Sequence, residues 1–421
     1  MLRILLLAGA VGFPFSLNSE INDSWVADGW RIKEVARISL EDYIEPANIS
    51  NVYTNGCFVE VFQDPDCSWR VQSGDGHRVV SIKDGCSPRI LNIQDEWYSL
   101  IHSASDQYVL LLSRLNDLPA VFRYNLETGE GYPVVSDRDN LRMGSFGQFR
   151  SQMNRNGDVY YIDLNGYIGS YSDSDGLTEQ RITDSEYPIA VFDQALSSDG
   201  DLFSASVVRG ADAEQVILGY NIENGLLWET DLRSGGELEA SSDGSFIAVD
   251  RASCGISLLD GRTGRELYLF LEDRRICTLA ISPTGRFVAS SFFVSDRPGR
   301  DRATLFSSID TQSTGSATII FSGEDDGFRG TGFVRAVTDD GTFLVESFSS
   351  TPDNEMQYFL YDQTGSLLWK SPICYSTNGL WVSLLMENIG LCSVTHINSG
   401  YLIGYCIPDR AEIVIVRIEG E

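Results

Sequence analysis

A short phrase recurs along this chain of 421 residues: a polar turn, Ser-Asp-Gly or a variant of it, followed at once by a short apolar run. Its clearest copy is Ser242-Asp243-Gly244, which leads into a run at 246–249. A second run at 256–259 ends at Arg262-Thr263-Gly264, and a third follows at 266–270. Asp in such a turn bonds its own backbone, and Gly accepts positive φ without the clash that a Cβ brings. Taking the glycine of each copy, or Gln107 where it is absent, the turns fall at 56, 107, 157, 200, 244, 285, 341 and 390. Successive separations are 51, 50, 43, 44, 41, 56 and 49, close to the roughly 40–50 residues of one four-stranded propeller blade. Consecutive apolar positions such as Phe287-Val288-Ala289 and Phe343-Leu344-Val345 suit strands covered on both faces, and no helical periodicity of useful length competes. The expected fold is all-β, a single β-propeller of eight four-stranded blades, with seven as the alternative because the terminal copies are degenerate. The fourth strand of each copy is read as the run just before the turn, as at 277–281.

This repeat is expected to occupy residues 47–421. Residues 1–20, with one Arg and an apolar run at 4–15 too short to cross a bilayer, read as a signal peptide, the alternative being an apolar strand tucked against the core. Residues 21–46 read as a lead-in that adds a strand to the end of the array. Hydrophobic residues make up 43% of the chain, enough for a large core, so disorder is excluded. A formal charge of −29 repels phosphate backbones and anionic lipid, which sets aside nucleic acid and polybasic membrane binding. No integral membrane span is expected, and the chain is expected to be monomeric. Export to the periplasm or exterior is the expected location, with the cytoplasm as the alternative. Eight cysteines suit an oxidising compartment. Cys57 with Cys67, and Cys392 with Cys406, fall on successive antiparallel strands and are candidates for bridges, as are Cys254 and Cys277. The alternative is buried free thiols.

The turn-strand phrase, with its closing x-Thr-Gly-x-x-Leu, resembles the WD-repeat propellers. Asn221-Ile222-Glu223-Asn224-Gly225-Leu226-Leu227-Trp228, matched by Tyr361-Asp362-Gln363-Thr364-Gly365-Ser366-Leu367-Leu368-Trp369, resembles the quinoprotein repeat. The likeness covers about residues 47–421 and implies a fold more than a chemistry. No Trp-Asp dipeptide occurs, and no two cysteines are neighbours of the kind that quinone-dependent dehydrogenases carry over their cofactor. The resemblance therefore implies no cofactor, and the nearer match is to envelope scaffold propellers that use this shape without one.

Catalytic signatures are sparse. His77, His102 and His396 belong to different repeats, and the chain has no Gly-x-Ser-x-Gly elbow, phosphate-binding loop or dinucleotide fingerprint. The acidic turns Asp64-x-Asp66, Asp173-x-Asp175 and Glu324-Asp325-Asp326 complete no calcium-loop pattern and read as solvated turns. Charge is the most informative local feature, because eight arginines lie between 262 and 302 in an acidic protein. Arg274, Arg275, Arg297, Arg300 and Arg302 are the candidate docking residues for an acidic protein partner, set against pairing with the chain's own carboxylates. The expected function is a non-catalytic interaction or scaffold platform. The alternatives are a metal-assisted propeller hydrolase or lyase using the central funnel, and a sugar- or peptide-binding module.

Overall fold

The turns decide which strands share a sheet. The computed structural model describes residues 24–44, 57–62, 68–93, 97–101, 105–115, 118–135, 150–163, 166–182, 189–209, 214–232, 237–251, 255–272, 274–293, 304–312, 318–323, 326–328, 330–348, 355–375, 392–407 and 410–420. The expected signal peptide and the turns at Asn55-Gly56 and Ile389-Gly390 lie outside them.

Blade 1 consists of Cys57–Val61, Trp69–Gly74, Arg78–Lys83 and Arg89–Asn92, and blade 2 of Trp97–Ile101, Tyr108–Leu115, Leu118–Asn125 and Gly131–Val135. Blade 3 is Arg150–Met153, Val159–Ile162, Tyr167–Ser172 and Gly176–Arg181; blade 4 is Ala190–Leu196, Leu202–Arg209, Glu214–Asn221 and Gly225–Thr230. Blade 5 is Leu238–Ala240, Phe246–Asp250, Ile256–Asp260 and Glu266–Phe270; blade 6 is Ile276–Ile281, Phe287–Phe293, Thr304–Asp310 and Thr318–Ser322. Blade 7 is Thr331–Val337, Phe343–Phe348, Glu355–Tyr361 and Leu367–Lys370. Blade 8 takes Cys392–Ile397, Gly400–Ile407 and Glu412–Gly420 from the C-terminus, and its outermost strand, Trp30–Ser39, from the lead-in. The protein is a single all-β propeller of eight four-stranded antiparallel blades.

The phase of the repeat differs from the sequence expectation. Ile276–Ile281 pairs with Phe287–Phe293, so the run before the turn is the first strand of its own blade and not the last of the one before. The cause is local. Ser282 Oγ accepts from Phe287 N at 3.0 Å, and Ser282 N donates to the Phe287 carbonyl at 2.8 Å, closing a tight hairpin whose two arms must pair. In the last blade the corresponding turn lies at 398–400, with Ile397 opposite Gly400.

Residue contacts divide the chain into two compact units: 1–94 with 294–308 and 319–421, and 95–293 with 309–318. In the first unit the N-terminal strand runs antiparallel to the C-terminal one, with Trp30 opposite Gly420 and Ser39 opposite Glu412. Arg37 fixes this closure by bonding Glu34 at 2.8 Å and Glu412 at 2.7 Å. Trp25–Val26 adds a further strand outside blade 7, with Trp25 opposite Lys370. In the second unit the first strands of blades 3, 4, 5 and 6 are successive neighbours, so each blade presents its first strand inward. Middle strands are buried on both faces, as at Ile247, Ala248 and Val249, which is why their sequences are apolar without alternation. Among the described residues no helix is long and apolar enough to cross a membrane.

Candidate interaction surface

Strand direction gives each blade two ends. The first-to-second and third-to-fourth turns share one end, here the turn end. In the second unit these turns are tied to one another: Arg155 N donates to Ser198 O at 3.1 Å, Asp199 N to Ser242 O at 2.8 Å and Ser242 N to Pro283 O at 2.8 Å. Each turn is also braced from within, since Ser197 Oγ accepts from Leu202 N and Ser241 Oγ from Phe246 N, both at 3.0 Å. The third-to-fourth turns are closed by Asx bonds. Asn125, Asn221 and Asp260 each accept two backbone N–H groups through Oδ1, at 2.8–3.0 Å. The result is a rim whose backbone is locked from blade 3 to blade 6.

Neighbouring blades are also pinned by side chains just beneath this rim. Arg123 of blade 2, 3% exposed, donates to Gly157 O of blade 3 at 2.8 Å, pairs with Asp173, and lies over the Tyr108 and Tyr171 rings. Trp228 of blade 4 donates through Nε1 to Gly261 O of blade 5 at 2.8 Å, while Thr230 Oγ1 donates to Gly264 O at 2.7 Å. Gly264 has φ +65, and a Cβ there would overlap the Trp228 ring.

Acid dominates the rim over blades 3 and 4, where Asp173, Asp175, Asp199 and Glu223 are exposed and Asp158 and Asp201 are half-buried. Burial raises the Asp158 carboxyl above its usual range, and Asp201 adds to this against the hydrogen bond from Asn154. Asp175 is held low by hydroxyl donors from Ser174 and Ser172. Among the exposed cations of this end, Arg155 bonds Asp199 at 2.8 Å, and Arg262, Arg265 and Arg286 belong to blades 5 and 6.

A second acidic group lines the inner strands. The inward edge of a first strand has no partner strand within its blade, and carboxylates of the preceding blade serve its donors. Asp193 Oδ2 of blade 4 accepts from Leu238 N of blade 5 at 2.7 Å, and Glu237 Oε2 accepts from Leu279 N of blade 6 at 2.6 Å. The Glu239 carboxyl, beside them, has no hydrogen-bond partner among the described residues. Its side chain is exposed, but the protein atoms around it strip part of its hydration, and this desolvation with the nearby Asp193 charge pushes its carboxyl up to about 8.

Among the described residues, the arginines of the stretch 262–302 fall at both ends of their blades. Arg265 and Arg274 stand at opposite ends of the strand Glu266–Phe270, so Arg262, Arg265 and Arg286 lie at the turn end while Arg274 and Arg275 lie at the other. Both of the latter are exposed, and Arg274 Cζ sits 5.8 Å from the Phe292 ring centroid. Arg297, Arg300 and Arg302 lie outside the described residues, as do His102, Cys67 and Cys254. His77 occupies the second-to-third turn of blade 1 and His396 the end of the first strand of blade 8, where its Nε2 is 3.7 Å from Asp340. Cys57 is fully buried opposite Ser73, and Cys277 is the extra residue of a bulge in the first strand of blade 6. Register sets Cys392 against Tyr405, one residue short of Cys406, and alternation along the strand sends the two sulfurs to opposite faces of the blade. Among the described residues, no three His, Cys, Asp or Glu side chains gather as a metal-holding group. The inner-strand carboxylates were missed from sequence because Glu237, Glu239 and Asp193 acquire meaning only through neighbouring blades.

No protein-family model matches the chain, and no curated protein matches it in sequence. Solved structures do match in shape. BamB from Moraxella catarrhalis aligns over 92% of this chain and 100% of that one, at 11% identity and a TM-score of 0.52. The computationally designed Ika8 protein aligns over 86% of this chain and 96% of that one, at 13% identity and a TM-score of 0.50. These likenesses are of fold alone.

Proposed function

We propose that this protein is a non-catalytic docking platform whose acidic turn end over blades 3 and 4 holds a protein partner through a basic face. The observation that carries the reading is the turn-to-turn bonding from Arg155 to Pro283, which fixes the backbone beneath Asp199, Asp201 and Glu223. Charges on a fixed frame lose little freedom on binding, and their like sign steers a cationic surface toward them. A net charge of −29 acts in the same direction over the whole surface.

The test is neutralisation of the rim. A variant with Asp158→Asn, Asp199→Asn, Asp201→Asn and Glu223→Gln is compared with wild type after cross-linking in the native host and purification of the captured partner. The expected result is association at least tenfold weaker for the variant, and weakened by salt for the wild type. Undiminished and salt-insensitive binding by the variant would refute the reading.

A further inference from the structure

Blade 7 shows how this chain receives an added strand. Its outer strand pairs with the third strand through Tyr361 opposite Leu367 and Leu360 opposite Trp369, leaving Leu368 as an extra, bulged residue. Trp25–Val26 then lies along the outside, with Trp25 opposite Lys370 and Val26 opposite Trp369, and Ala27 N donates to Leu368 O at 2.9 Å. The bulge turns the Leu368 carbonyl outward, and the incoming strand takes it.

Blade 4 repeats this edge residue for residue. Tyr220 is opposite Leu226 and Gly219 opposite Trp228, so Leu227 is bulged as Leu368 is, within the same Leu-Leu-Trp sequence. No other outer strand among the described residues carries that sequence, and blade 2 has Pro133 in its outer strand, which removes a donor. The two edges differ in what covers them. With the added strand beside it Leu368 is 8% exposed, whereas Leu227 is 39% exposed and, among the described residues, the outer strand of blade 4 pairs on one side only. Gln180 Oε1 of blade 3 accepts from Leu226 N at 2.9 Å, which marks where the open edge begins.

We infer that the outer edge of blade 4, from Leu227 to Thr230, is a docking site for an extended strand of a partner protein, which adds to the blade as Trp25–Val26 adds to blade 7. Main-chain hydrogen bonds supply the attachment, and an aromatic-aliphatic pair in the incoming strand covers Leu227. Carried over from blade 7, the register sets Glu229 opposite the aromatic residue and Asp231 opposite the residue two before it, so a lysine or arginine at that earlier position suits the edge. The inference does not rest on the acidic-rim reading, which concerns other residues.

The probe is the blocked peptide Asn-Lys-Ser-Trp-Val-Ala-Asp-Gly, residues 22–29 of the chain with lysine in place of Asp23. Hydrogen exchange followed by mass spectrometry reads where it binds the full-length protein. The expected result is exchange slowed at least fivefold at 227–230 and unchanged in the other outer strands. Leu227→Pro disrupts the bulge that turns the carbonyl outward and abolishes the protection. Leu227→Arg, which leaves the backbone intact should the proline variant misfold, weakens peptide binding about tenfold. Absence of protection at 227–230, protection only at another outer strand, or binding undiminished in Leu227→Arg would overturn the inference.

Discussion

Replacing Glu239 by glutamine tests whether the inner strands hold a carboxyl that prefers its proton. The carboxyl is pushed from 4.5 to about 8 by partial desolvation and by Asp193. A folded-state value raised above the unfolded one means that the folded state holds the extra proton across that window. Nothing is lost below about pH 4.5, where both states are protonated. The cost of ionising the folded group grows as pH rises from there and is complete above about 8. A shift of ~3.5 units at 1.36 kcal/mol each sets a ceiling of ~5 kcal/mol. Because the carboxyl is itself open to water, screening reduces the expected effect to ~1–2 kcal/mol. Glutamine keeps the shape and never ionises, so Glu239→Gln should match wild type near pH 4.5 and exceed it by that amount at pH 8.5. Denaturant midpoints for both proteins, taken at half-unit steps across this range, give the difference directly. Asp193→Asn, which keeps an acceptor for Leu238 N, should make the wild-type loss smaller and complete it at a lower pH, because it makes folded Glu239 easier to ionise while the onset near pH 4.5 stays where it is. A difference between Glu239→Gln and wild type that stays flat with pH would refute the reasoning, since only a shifted carboxyl makes it slope.

Two further substitutions examine how the blades are held. Gly264→Ala and Gly85→Ala both place alanine at positive φ, +65 and +68, but only at Gly264 does the new methyl meet the Trp228 ring, whereas nothing lies within 4 Å at Gly85. Thermal and denaturant unfolding should show a loss of about 1–2 kcal/mol for Gly85→Ala and about 2–4 for Gly264→Ala, the excess measuring the clash; equal losses would mean that the Trp228 contact tolerates a methyl. In blade 7, Arg335 Nε donates to Glu346 Oε2 at 2.7 Å, and Glu346 is 1% exposed. Arg335→Met should cost about 3–5 kcal/mol by stranding that carboxylate, and Arg335→Met with Glu346→Leu should recover most of it; a double variant no better than the single one would show that the charge is not the cause.

The fold was legible because its signal is local and repeated. The phrase from Ser242 to Phe270 contains a turn that only hairpin partners can share, and three strands that the structure places at Phe246–Asp250, Ile256–Asp260 and Glu266–Phe270. What the phrase does not contain is its own phase. Whether Ile276–Ile281 finishes one blade or starts the next depends on which neighbour it pairs with, and both neighbours are apolar strands of similar length. The same limit governs the lead-in. Trp30–Ser39 alternates as any edge strand does, and its partner, Glu412–Gly420, lies at the far end of the chain.

Docking surfaces were less legible, for a reason that the arginines of blade 5 make plain. Between Arg265 and Arg274 lies one strand, Glu266–Phe270, and each such strand carries the chain from one end of the blade to the other. Charges nine residues apart in sequence therefore belong to opposite ends, while Asp199 and Ser242, forty-three apart, are joined by a backbone hydrogen bond. A linear run of like charge in a propeller is thus weak evidence for a patch. Charges that recur at the same phase of successive repeats are strong evidence, because the fold stacks equal phases side by side. Asp158 and Asp201 each follow the glycine of their turn, and Asp199 and Asp243 each precede theirs. By the same logic the Leu-Leu-Trp shared by the outer strands of blades 4 and 7 carries more information than the exposure of Leu227 alone. The repeat supplies its own control, one copy with an added strand and one with none among the described residues.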